Sequence, residues 1–158
     1  VPEAFDFSQE TRAILDSYAI APGKTQGFGW QCLAARRLIE RGVRFVERID
    51  TRSSGNWDAH GDMMSHVGLA RNVDQPIAAL LKDLKQRGLL DETLVVWCTE
   101  FGRMPFFQNG APGRDHNPDG FSCWLAGAGV KPGVRYVATD ELGREAAENA
   151  IQNAMTGE

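Results

Sequence analysis

Histidine and cysteine are scarce in this chain, at three residues each, and no cysteine belongs to a C-x-x-C pair. That spacing excludes cysteine-rich zinc modules and thioredoxin-type redox motifs. The odd count of Cys32, Cys98 and Cys123 argues against a disulfide framework. Cys98 and Cys123 stand in the apolar runs 95–98 and 121–125, which predicts buried, inert thiols. No apolar stretch approaches the roughly 20 residues that span a bilayer, so no membrane span is expected. Formal net charge is −4 and the basic residues form no single block, so a nucleic-acid groove is not expected. The one dense basic cluster, Arg36, Arg37, Arg41 and Arg44, is interrupted by Glu40 and Glu47 and reads as the solvated face of a helix. Gly127-Ala128-Gly129 lacks the third glycine of a dinucleotide-binding loop.

What is present is a chain of 158 residues with 42% apolar and 24% charged content, ordinary values for one globular domain with a core. Residues 1–25 read as an irregular segment containing a short helix start after Ser8 and a turn at 21–24. Trp30, Leu33, Ala34 and Leu38 recur at helical spacing over 28–41, with Gly42 as the stop. Residues 43–50 read as a strand apolar on both faces. Ala70, Val73, Ile77, Leu80, Leu81 and Leu84 define an amphipathic helix, with Pro76 marking either a kink or a fresh start. Residues 93–99 and 121–126 read as buried strands, 136–139 as an edge strand, and 140–158 as a polar tail, part helix. This alternation predicts an α/β domain with a mainly parallel sheet, whose ligands bind beyond the carboxyl ends of the strands.

Three short clusters carry the chemistry. They are Trp57-Asp58-Ala59-His60-Gly61, Glu100-Phe101-Gly102-Arg103 and Gly113-Arg114-Asp115-His116-Asn117-Pro118. Carboxylates and imidazoles gathered at one point suit a divalent metal. Asp58 and His60 are two apart, so in an extended stretch both point the same way. Glu100 follows a strand, where it either faces a ligand or pairs with Arg103. Asp115 is placed to orient His116. Arg103 and Arg114 offer forks for phosphate or sulfate oxygens. His66, near the start of the long helix, is an alternative ligand. Each cluster alone reads equally well as a polar surface loop.

Together with 38–46 and 84–96, these blocks resemble the DUF1501 family, bacterial and planctomycete-rich sulfatase-like proteins grouped with the alkaline phosphatase superfamily. The resemblance covers about residues 28–145. It implies an alkaline phosphatase-like α/β/α sandwich and a metal-dependent hydrolase of sulfate or phosphate esters, including glycan esters. It implies metal ligation by Asp58, His60, Glu100 and His116, with Arg103 and Arg114 on the substrate and Asp115 or His66 as second partners. Zinc, manganese and calcium are the candidate ions. Phe101 stands where the superfamily has a metal-binding His, and Met104 where the family commonly has Thr. The resemblance also implies a partial domain that carries the metal-binding half of the site and lacks the nucleophile region. The expected location of the full protein is periplasmic or extracytoplasmic. Exposed apolar edges would then meet a second copy or the rest of the chain. Two alternatives stand beside this: a non-catalytic binding module that keeps the fold, and a cysteine hydrolase using Cys98 or Cys123 with His116.

Overall fold

The computed structural model describes residues 2–50, 56–136 and 138–148. A 3-10 turn at Pro2–Ala4 precedes three α-helices, α1 Arg12–Ser17, α2 Phe28–Glu40 and α3 His66–Gln86. The described residues also hold a second 3-10 turn at Met63–Ser65 and six short strands: β1 Val95–Trp97, β2 Gly102–Arg103, β3 His116–Asn117, β4 Trp124–Ala126, β5 Ala138–Thr139 and β6 Ala146–Glu148.

The helix boundaries follow from local chemistry. The hydroxyl of Thr11 caps α1 by accepting from the backbone N–H of Ile14 at 3.3 Å. Both long helices end on a glycine in the left-handed region, Gly42 at φ 80° and Gly88 at φ 70°. In each, two backbone bonds close the end. Gly42 donates to Ile39 and Val43 to Leu38; Gly88 donates to Lys85 and Leu89 to Leu84. This is the Schellman arrangement, which satisfies carbonyls that the helix leaves over. Pro76 is buried inside α3 and does not divide it.

The apolar stripes of α2 and α3 face each other. Tyr18, Ile20, Cys32, Leu33 and Ala79 form the core, with Phe7, Ile14, Leu15, Phe28, Trp30 and Leu80 packed around it. Gly29 permits the closest approach, because a Cβ there would stand 1.9 Å from the carbonyl oxygen of Tyr18. Burial raises the Cys32 thiol to about 12.

Among the described residues, the expected α/β/α sandwich with a mainly parallel sheet does not form. The strands pair in three separate antiparallel ladders, β1 with β4, β2 with β3 and β5 with β6. Parallel strands need a crossover between them. Here β2 and β3 pair as a hairpin, and β4 returns beside β1. Residues 93–99 shrink to a three-residue strand whose central Val96 is 51% exposed. The 121–126 run likewise contracts to β4, and its Leu125 is exposed. Each ladder has two strands, so one face of the β1–β4 pair stays in solvent.

Residues 43–50 form no strand. They lie against α2 instead, with Val46 and Arg48 half-buried and Phe45 and Ile49 exposed. The Arg48 guanidinium sits 4.0 Å from the Phe28 ring centroid, and its Nε donates to Gln31 at 2.7 Å. Contact with one helix face replaces the ladder on both edges that a buried strand requires. Within the expected tail, β6 forms; residues 149–158 lie outside the described residues.

The basic cluster is also corrected. Arg36 and Arg37 are buried, not solvated. Arg36 lies on the stripe of α2 that carries Cys32 and Leu33, so it points at α3. There its Nε stands 3.0 Å from Asp83, and its other nitrogens reach Glu10 at 2.8 Å and Glu40 at 2.5 Å. Arg87 joins Asp83 and Glu40, both at 2.6 Å, and the Tyr18 hydroxyl donates to Asp83 at 3.1 Å. Arg37 clamps the N-terminal segment through Glu10 and the carbonyls of Glu3 and Ala4. Burial pushes the Glu10 carboxyl up, but hydrogen bonds from Arg37 and Arg36 outweigh it and leave its pKa lowered. Buried charges persist where each is paired and hydrogen-bonded.

Candidate metal centre

Two segments far apart in sequence build this site. The first is the stretch after residue 56. There Ala59 donates to the carbonyl of Trp57 and His60 to that of Asp58, two successive tight turns. Ala59 is buried, so Asp58 and His60 are thrown to the outer side. The second segment is the β2–β3 hairpin, whose register sets Arg103 opposite His116. Directly opposed side chains in an antiparallel pair share a face, so guanidinium and imidazole stand together.

Gly113 lets the two segments meet. A Cβ at this position would lie 1.8 Å from the carbonyl oxygen of His60. The absence of a side chain allows Arg114 to donate its backbone N–H to the carbonyl of Ala59 at 3.1 Å. Gln108 closes the same loop by donating to the carbonyl of Gly113 at 2.8 Å.

Asp58, His60 and His116 come together. Asp58 Oδ1 lies 3.0 Å from His60 Nε2 and 2.8 Å from His116 Nε2, and the two Nε2 atoms are 3.1 Å apart. Arg103 donates to the same oxygen of Asp58 at 2.7 Å. Hydrogen bonds from His116 first and Arg103 second hold the Asp58 carboxyl down at about 2. Asp58 is exposed, and both histidines are partly so, which leaves one side of the triangle open to solvent.

The orientation of each imidazole has a visible cause. His60 Nδ1 stands 2.7 Å from Gln108 Oε1, a carbonyl oxygen that accepts. Nδ1 therefore carries a proton, and in the neutral ring the Nε2 lone pair of His60 points toward Asp58 and His116. The Phe101 ring stacks on His116, centroids 4.1 Å apart, and so packs against a ligand candidate. Asp115 Oδ1 accepts the backbone N–H of His116 at 2.8 Å and lies 3.8 Å from His60 Nδ1.

The remaining candidates go elsewhere. Glu100 is exposed beyond the end of β1 and is not part of the Asp58, His60, His116 group. His66 bonds through Nε2 to the carbonyl of Trp57 at 2.8 Å and meets the Trp57 ring edge-on, which steadies the first cluster from behind. Arg103 also donates to the carbonyls of Trp57 and Arg114, both at 3.0 Å, so much of its fork is spent inside the protein. Arg114 reaches the carbonyl of Met104 at 3.4 Å. Sequence reasoning missed Gln108, which belongs to no motif. It quoted Gly113 but missed its role, which depends on a backbone more than fifty positions away.

Residues 1–155 match the family described as a protein of unknown function, DUF1501. The chain belongs to the DUF1501 family. No curated protein and no solved structure matches it.

The donor set of this DUF1501 chain fits a metal ion. Ligand atoms held about 2.0–2.1 Å from a tetrahedral zinc ion are spaced about 3.3–3.4 Å apart. The three edges here run from 2.8 to 3.1 Å, so the side chains would move apart by a few tenths of an ångström to hold such an ion. A carboxylate oxygen and a bare imidazole nitrogen turned toward each other repel unless a proton or a metal cation lies between them. Two imidazoles with one carboxylate favour zinc or manganese over calcium, which prefers an all-oxygen shell.

Proposed function

We propose that Asp58, His60 and His116 hold one divalent transition metal, and that this centre serves hydrolysis of a sulfate or phosphate ester. The observation that carries the proposal is the triangle of Asp58 Oδ1, His60 Nε2 and His116 Nε2, with no edge longer than 3.1 Å. Its open side leaves room for a substrate oxygen, as catalytic sites require and closed structural sites do not. When bound, such an ion polarises an ester oxygen and stabilises the charge that develops on it. Arg103 keeps Asp58 ionised and in place, Gln108 fixes the His60 tautomer, and Phe101 holds the His116 ring. The resemblance of the five sequence blocks to sulfatase-like and phosphatase-like proteins supports the ester chemistry. The three clusters are assigned to metal holding and substrate orientation, not to nucleophilic attack.

One observation favours a second reading, a non-catalytic metal-binding module. The Arg103 guanidinium is engaged by Asp58 and two backbone carbonyls, which leaves little of it for an anionic ester.

The test is titration of metal-free protein with zinc and with manganese chloride near neutral pH, followed by assay on 4-nitrophenyl sulfate and 4-nitrophenyl phosphate. Uptake of one ion, lost in His60→Ala and His116→Ala, is expected, with metal-dependent turnover of one ester by a longer chain that adds the nucleophile region. No uptake by the unaltered protein would sink the proposal. Uptake with no turnover of either ester by this chain or the longer one would replace the hydrolase by the binding module.

A further inference from the structure

Cys98 and Cys123 follow from the register of the β1–β4 ladder. Val95 pairs with Ala126, Val96 with Leu125 and Trp97 with Trp124. The ladder ends at Trp97 and Trp124, and its register continued by one step would set Cys98 opposite Cys123. Directly opposed residues in such a pair have Cα atoms about 4.5–5.5 Å apart and share a face. Disulfides form over Cα separations of about 4.4–6.8 Å.

The side on which these thiols lie is legible from exposure. Alternate residues of β1 and its flanks, Leu94, Val96 and Cys98, are exposed, while Val95 and Trp97 are half-buried. Across the ladder Leu125 and Cys123 are exposed and Trp124 is half-buried. Both cysteines thus stand on the open face of a two-stranded ribbon, whereas Cys32 is buried in the helical core. The Trp97 and Trp124 rings stack on the opposite face, centroids 6.5 Å apart with planes 6° from parallel, which holds the two strands in this register next to the thiols.

We propose that Cys98 and Cys123 are a reversible dithiol–disulfide site, oxidised by low-molecular-weight disulfides. The thiolate of one cysteine attacks the small disulfide, forming a mixed disulfide and releasing one small thiol. The second thiolate then attacks the protein sulfur of that mixed disulfide and releases the other small thiol. Two protein thiols are oxidised, one disulfide is reduced to two thiols, and the two protons lost by the cysteines end on the small thiols. The bond closes the segment 99–122, which carries Phe101, Arg103, Gln108, Gly113 and His116. Oxidation therefore tethers both ends of the segment that supplies half of the metal centre. The proposal rests on the strand register and stands whether or not a metal binds.

The test uses the full chain equilibrated with graded ratios of oxidised to reduced glutathione, then alkylated under native conditions and mapped by mass spectrometry. The expected product is one intramolecular link between the peptides carrying Cys98 and Cys123, reversed by dithiothreitol, with Cys32 alkylated only after unfolding. Cys98→Ser and Cys123→Ser are each expected to stop at a stable glutathione adduct on the remaining cysteine. Stable adducts on both cysteines of the unaltered protein, or links between chains in place of the internal one, overturn the proposal. So does complete native alkylation of Cys98 and Cys123 at every ratio.

Discussion

The Nε2 atoms of His60 and His116 face each other across 3.1 Å, and Asp58 Oδ1 lies within 3.0 Å of both. An arrangement of polar atoms this close is sensitive to which nitrogens carry protons. In His60 that choice is made by Gln108, from outside the triangle. Gln108→Leu removes the acceptor at Nδ1 while leaving all three ligand candidates. Long-range 15N NMR of metal-free protein is expected to show His60 mainly as the Nδ1–H tautomer, and a mixture in the variant. Zinc affinity is expected to fall about 10–100-fold, the usual loss when a ligand's outer hydrogen bond is removed. An unchanged tautomer in the variant would show that Gln108 does not set it.

Asp58 offers a pH readout. Its carboxyl is held at about 2, below its ordinary 3.8, by hydrogen bonds from His116 and Arg103. A lowered folded-state pKa contributes stability that is fully present above about pH 4 and is lost as pH falls through about 2. Carboxyl 13C NMR of metal-free protein checks this. Arg103→Leu removes one of the two hydrogen bonds and is expected to move the Asp58 midpoint upward, toward the ordinary carboxylate range. A midpoint that does not move would remove Arg103 from its positioning role.

Gly113→Ala probes how the two halves of the site meet. The added methyl would stand 1.8 Å from the His60 carbonyl oxygen and 2.0 Å from its carbon, so backbone must shift. Metal affinity is expected to fall on the order of tenfold or more, with helical far-UV circular dichroism retained because α2 and α3 pack away from this contact. Unchanged affinity would mean that the loop approaches His60 differently.

Asp83→Ala tests the buried charge network. It leaves Arg36 buried beside the gap and removes partners of Arg87 and Tyr18. Losing one member of a buried ion network costs about 3–5 kcal/mol. Urea unfolding is expected to show a midpoint shift of that size with unchanged slope. A loss below about 1 kcal/mol would place the network among ordinary surface pairs.

The extent of the site that could be read in advance differs residue by residue. Asp58, His60 and His116 were legible because ligand chemistry limits the candidates to a few residue types, and the chain has few histidines. Arg103 stands in the sequence as a candidate for the substrate, and the hairpin register that turns it onto Asp58 is not local information. The thiols of Cys98 and Cys123 were misread as buried. Apolar neighbours predicted a strand covered on both faces, and a two-stranded ladder covers one. The parallel sheet fails for the same reason: alternating helices and apolar runs carry no information about strand pairing.

Local interactions settle what the chain itself encodes most directly. Gly42 and Gly88 stop α2 and α3 wherever those helices pack, because the left-handed turn that closes a helix needs a residue without a Cβ. The stripe of α3 follows from spacing only in part: Val73 and Leu84 are buried as expected, while Ala70 is exposed and Asp83, expected on the polar face, is buried. Whether Arg36 would meet water or Asp83, whether residues 43–50 would join a ladder or lie along a helix, and whether His60 would reach His116 were left to the tertiary structure. Each depends on contacts between residues distant in sequence, and those contacts form only when the folded chain brings their backbones together.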